Sequence, residues 1–194
     1  MGAHFRRLGK HYLGFSKKIN SDYTPRQLSA GAAFTVFAHG EIESYVEDCS
    51  LAIIERAELL WKSGKLSRPI ACLLSFREAA TISDQVPTKD IWSAPLVQAI
   101  QSHKNVIGSN NGIRERHICK MYIPVGFDVR NIDPILIADL TAISSIRGDH
   151  AHQSYGKHIG QQFDPFDRQV KVMNAYKLLA DFDTQCVAYL NSIG

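Results

Sequence analysis

The sequence predicts an all-α protein: an antiparallel bundle of helices that includes one long helix in the N-terminal third of the chain. Three observations predict it. Thr24-Pro25, Asp133-Pro134 and Asp164-Pro165 each set an oxygen-bearing capping side chain before a proline. That pair starts a helix, because proline at the first helical position gives up no hydrogen bond. Apolar residues then recur at helical spacings of three and four, and no stretch shows the alternation of a half-buried strand.

The first such helix runs from Pro25 to about Trp61, with Ile42, Tyr45, Val46, Cys49, Ile53, Ala57 and Leu60 as its apolar stripe and Ser63-Gly64 as its stop. Gly40 falls inside it, at a cost of about 1 kcal/mol against alanine; a close helix approach is the expected compensation. Pro69 to Ala80 predicts a second, more buried helix, and Ser83 to Lys89 a polar connection. Helical character resumes from Ile91 to Lys104, and Gly108 to Gly112 is a turn. A short basic helix, Ile113 to Met121, leads into an irregular loop, Tyr122 to Asn131. Asp133-Pro134 and Asp164-Pro165 open the last two helices. The final one runs to about Leu190 on a stripe of Ala175, Leu179, Phe182, Cys186 and Leu190. The 194 residues are expected to form one domain, with its core between about 25 and 190.

Composition excludes more than it assigns. The chain is 45% apolar and 21% charged, ordinary for a folded globular protein. A net charge of +3 permits a nucleic-acid partner without requiring one. The four cysteines form no Cys-x-x-Cys pair, so a zinc ribbon or redox motif is not expected. No run approaches the roughly 18 apolar residues of a membrane span, and the first residues lack the apolar core of a secretory signal. A cytoplasmic protein with reduced thiols and no membrane association is the expectation. Gly-rich phosphate loops, nucleophile elbows and His-Glu-x-x-His are absent from the sequence. His150, His152 and His158 lack the accompanying carboxylates or thiolates that metal binding needs, so neither metal nor cofactor is expected.

The chemistry concentrates in Arg147-Gly148-Asp149-His150-Ala151-His152. Arginine carries a permanent charge on a planar fork that matches phosphate oxygens. Histidine exchanges protons near neutrality. Leu136, Leu140 and Ile143 step along one helix face, and the next step lands on Arg147, where the pattern asks for an apolar, inward residue. An arginine there needs a partner or a task. His152 follows five residues later, about 140° round a continuous helix, so the two share a face only if the helix breaks; Gly148 is the expected place. On the long helix, His39, Glu43 and Glu47 lie four residues apart on one edge. That edge is either solvated or a receiver for a cation such as Arg147. Arg114, Arg116, His117 and Lys120 could touch a nucleic-acid backbone or simply be surface.

Arg147 to His152 fits the Arg-x4-His signature of the HEPN superfamily. The helix before it, and Phe37 to Tyr45 on the long helix, resemble HEPN proteins of the RiboL-PSP type. The resemblance implies an α-helical bundle that forms a homodimer, bringing two such motifs together across a cleft. It implies a metal-independent endoribonuclease acting as a toxin or antiviral effector, with RNA as substrate and a cognate antitoxin protein as a further partner. Arg147 would hold the scissile phosphate and His152 would act as general base or acid. Products would carry 2′,3′-cyclic phosphate and 5′-hydroxyl ends. Gly148 stands where family members often have a polar residue, a place that Asp149 or His150 would fill. Tyr155 lies three residues after the histidine, where some toxins have tyrosine two after it. Glu43, Glu47, Asp149, His150 and Tyr155 are thus supporting candidates. Two other readings stay open: a non-catalytic HEPN-like dimerisation module in which Arg147 pairs with Glu43 or Glu47, and an RNA-binding module that does not cleave.

Overall fold

The computed structural model describes residues 2–19, 22–76, 93–152 and 163–194, with the backbone alone at 93–94 and 149–152. Among them are seven α-helices and no strand, so the chain is all-α. In order these are α1 (Gly2–Tyr12), α2 (Pro25–Lys62), α3 (Arg68–Phe76), α4 (Ser93–Gly108), α5 (Glu115–Tyr122), α6 (Pro134–His152) and α7 (Pro165–Ser192), with one 3-10 turn at Val129–Asn131. The described residues form two compact units. The first holds residues 1–45, 112–115 and 132–182; the second holds 46–111, 116–131 and 183–194. Both α2 and α7 contribute residues to each.

Each Thr-Pro or Asp-Pro pair starts its helix. Thr24 Oγ1 accepts from the Gln27 amide at 3.3 Å while Gln27 Oε1 accepts from the Thr24 amide at 3.0 Å, a reciprocal capping box. Asp133 Oδ1 accepts from the Ile135 amide at 2.7 Å. Asp164 does more. Its Oδ1 accepts from the Phe166 amide at 2.8 Å and the Tyr23 hydroxyl at 3.0 Å, and Lys17 Nζ lies 3.3 Å from Oδ2. Burial works to raise its pKa, but the Phe166 amide, Tyr23 and Lys17 outweigh it and hold the carboxyl below its usual value. Asp164→Ala should therefore lower stability at neutral pH by about 1–2 kcal/mol. Because the folded value is depressed, this contribution is full above the unfolded carboxyl range near pH 4 and fades as pH falls through the folded value. Urea unfolding of both proteins at pH 7 and pH 3 checks this: the difference should shrink at the lower pH.

Within the first unit, Phe34, Ala38 and Ile42 of α2, Leu136, Leu140 and Ile143 of α6, and Val172, Ala175 and Leu179 of α7 are buried. Gly31 of α2 packs directly against Pro165 at the start of α7. A Cβ there would stand 2.7 Å from Pro165 Cβ, so only glycine fits without displacement. Gly40 is different: it is exposed, and a Cβ would meet nothing within 4 Å. The expected close approach at Gly40 is absent; the one that exists lies nine residues earlier.

α1 was not read from the sequence. It is short and strongly basic, and it is held by tertiary contact. Phe5 is buried edge-on against Tyr176, with ring centroids 5.4 Å apart.

The second unit packs Ile53, Ile54 and Ala57 of α2 with Ile70, Leu73, Leu96, Ile118 and Met121 among its buried residues. Gly64 (φ 81°) ends α2 in the left-handed conformation, where the stop was expected. Tyr122 donates its hydroxyl to the Val46 carbonyl at 2.7 Å, and Ser50 donates to the Met121 carbonyl at 3.1 Å. Cys186 is buried, and its thiol pKa is pushed up by the Cys49 thiol and by burial. The helix expected over 69–80 is described from Arg68 to Phe76; the remainder of that stretch and the polar connection lie outside the described residues. No helix of the described residues is long and apolar enough to cross a membrane.

Candidate functional site

α6 carries Arg147. The face that leads to it is apolar and buried through Ile143, after which Ser144 is buried and Arg147 half-buried. The inward position expected from phase is thus only partly reached. An arginine at the limit of a core face can lay its methylenes on apolar surface and keep its guanidinium wet. Among the described residues Arg147 takes part in no ion pair.

Gly148 does not break the helix. α6 continues to His152, and among the described residues a Cβ at Gly148 would meet nothing within 4 Å. Glycine permits a break without imposing one, and the i to i−4 ladder carries the helix through it. Positions 147 and 152 therefore sit about 140° apart and about 7.5 Å apart along the axis. The side chains of Asp149, His150 and His152, together with Tyr155 and His158, lie outside the described residues. Among the described residues no group of three or more His, Cys, Asp or Glu could hold a metal ion.

One turn before Arg147, Ser144 joins a polar network that the sequence did not reveal. Its Oγ lies 3.1 Å from His39 Nε2 and accepts from the Ile113 amide at 3.4 Å. His39 Nδ1 lies 3.6 Å from Glu43 Oε2, close enough for an ion pair but long for a hydrogen bond. The serine hydroxyl can give its proton to Nε2 or accept one from it, and which it does sets the tautomer that Nδ1 presents to the carboxylate. Glu43, His39 and Ser144 stand in the order of a triad that activates a nucleophile. Exposures of 1% at His39 and 6% at Ser144 keep a substrate out, so the network fixes α2 against α6 instead.

The edge bearing His39 and Glu43 is thus not a solvated face, because His39 is buried and the Glu43 side chain is only 17% exposed. Glu47 belongs to the second unit, where its Oε1 accepts from Asn110 Nδ2 at 2.8 Å.

The basic residues around α5 divide between the units. Arg114 Nη2 donates to Ser145 Oγ at 3.4 Å on α6. In the second unit Arg116, His117 and Lys120 line a cavity of about 590 Å³ with Asn110 and Asn111. No protein-family model, curated protein or solved structure matches this chain.

Proposed function

We propose that the chain is a metal-independent endoribonuclease of HEPN type that works as a homodimer, as a toxin or antiviral effector in the cytoplasm. The observation that carries this reading is Arg147. A permanently charged fork continues an apolar helix face, is half-buried, and makes no ion pair among the described residues. An arginine so placed is free to hold a phosphate. His152, assigned by the Arg-x4-His resemblance, takes the proton from a ribose 2′-hydroxyl. The freed oxygen attacks the adjacent phosphorus, the bond to the 5′-oxygen breaks, and that oxygen leaves with the proton handed on from the imidazolium. The products are a 2′,3′-cyclic phosphate and a 5′-hydroxyl. Water and metal are not needed in this step, since the nucleophile is part of the substrate.

The unbroken helix supports the dimer. The backbone of α6 sets positions 147 and 152 about 140° apart round one helix, which favours a site shared between two copies. Two copies about a two-fold axis offer one residue from each. A cognate antitoxin would act by covering this cleft.

The test is cleavage of single-stranded RNA by the purified protein in EDTA. The wild type should cut and leave 5′-hydroxyl ends that a polynucleotide kinase labels directly. Arg147→Ala and His152→Ala should each slow cutting by about 10²–10⁴-fold, with melting temperatures unchanged. Wild-type rates in the His152→Ala protein would sink the proposal. An inert wild type would leave a non-catalytic dimerisation or RNA-binding module.

A further inference from the structure

The positive charge of this chain is not spread along it. Residues 1–18 contain Arg6, Arg7, Lys10, Lys17 and Lys18 and no acidic residue. Set them aside, and the chain's 22 basic against 19 acidic residues become 17 against 19. The net cationic character therefore comes from α1 and the segment after it. Arg6, Arg7, Lys10 and His11 are all exposed there.

α1 lies along α2 over an open groove of about 710 Å³ lined by Arg7, Lys10, His11, Tyr12, Phe37 and Glu41 among others. Tyr12 and Phe37 stack with ring centroids 5.4 Å apart and planes 15° apart, and His11 meets Tyr12 edge-on at 4.6 Å. Phe37 is 52% exposed, so its ring is accessible from the groove. The carboxylate in the lining, Glu41, is met by His4 Nδ1 at 2.7 Å. A stacked pair of rings flanked by exposed cations is what a single strand requires: flat surfaces for bases and point charges for phosphates.

We propose that this groove binds single-stranded nucleic acid, with a base against the exposed face of Phe37 and phosphates along Arg7 and Lys10. An anionic membrane is the weaker match. A helix lying on lipid must offer its apolar side, and the apolar side of α1 is spent inward through Phe5. The groove is also separate from the Arg147 helix. Phe37 and His39 are two residues apart, about 200° round α2, and His39 faces α6. The inference thus adds a binding surface to the proposed nuclease and does not depend on cleavage.

Fluorescence anisotropy tests it, using the full chain in EDTA with labelled oligouridylate and oligothymidylate of about twelve nucleotides. Both probes should bind, and more weakly as salt rises. Phe37→Ala, at an exposed site, should weaken binding roughly tenfold. The Arg7→Gln/Lys10→Gln protein should lose about 1.4 from the slope of log affinity against log salt. Unchanged affinity in Phe37→Ala would overturn the proposal, as would pelleting with phosphatidylserine vesicles in the absence of strand binding. A gel of the recovered probe keeps the two readings apart. Probe that is bound yet uncut sinks cleavage and leaves this site standing; probe that is cut, with Phe37→Ala binding as wild type, does the reverse.

Discussion

Mixing two inactive variants, Arg147→Ala and His152→Ala, is expected to return RNA cleavage. Each alone should be slowed by about 10²–10⁴-fold, because one lacks the phosphate clamp and the other the proton carrier. In the proposed dimer, whose α6 is continuous between the two positions, each site takes its arginine from one chain and its histidine from the other. In a mixed dimer one composite site loses both residues and the other keeps both. Random exchange makes about half the dimers mixed, each with one working site of two, which caps recovery at about one quarter of the wild-type rate. Incubating the variants together and following cleavage with time measures this. A mixture no faster than its parents would count against a site shared between two chains. A dilution series adds a second check, since recovery should fall as dimers dissociate.

His39→Ala should be among the most damaging single changes in the first unit, at about 3–5 kcal/mol. The ring is 1% exposed, so its removal leaves a void. It also strips Ser144 Oγ of its 3.1 Å partner and leaves Glu43 facing the space where the imidazole stood. A buried polar group that loses its partner costs its full desolvation. For a chain of this size the melting temperature should drop on the order of 10 °C. His39→Gln, which can keep a polar atom towards Ser144, should recover part of that. A loss under about 1 kcal/mol in thermal or urea unfolding of His39→Ala would mean that α2 and α6 are held by apolar packing alone.

The parts of this fold that depend on local chemistry could be read from the chain. Thr24, Asp133 and Asp164 cap their own helices two or three residues on, so a short window contains the whole interaction. Ile42, Val46 and Ala57, or Ala175, Leu179 and Phe182, announce a buried face by spacing alone. The misses share the opposite property. α1 is held by Phe5 meeting Tyr176, 171 positions away in the sequence, a contact that no local window contains. His39 and Glu43 were visible as a pair, but Ser144, 105 positions from His39, decides that the pair is buried. Gly148 was read as a hinge because glycine allows one; whether the helix uses the permission depends on its neighbours. The arginine of the motif was legible from phase, while its half-burial depends on where the core ends.

Consider the seven residues from Phe37 to Glu43. Phe37 stacks on Tyr12 and Glu41 meets His4, so one side of α2 is committed to α1. Ala38 and Ile42 are fully buried. His39 and Glu43 reach towards each other, with Ser144 beyond. Only Gly40, exposed and with open space at its Cβ position, has no such duty. Two turns of helix therefore answer to α1, to α6 and to the core at once, and a residue changed to suit one is constrained by its adjacency to the others. Over generations this heptad would be slow to drift while Gly40 wandered, and inserting one residue at its start would rotate every later duty by about 100° from its counterpart.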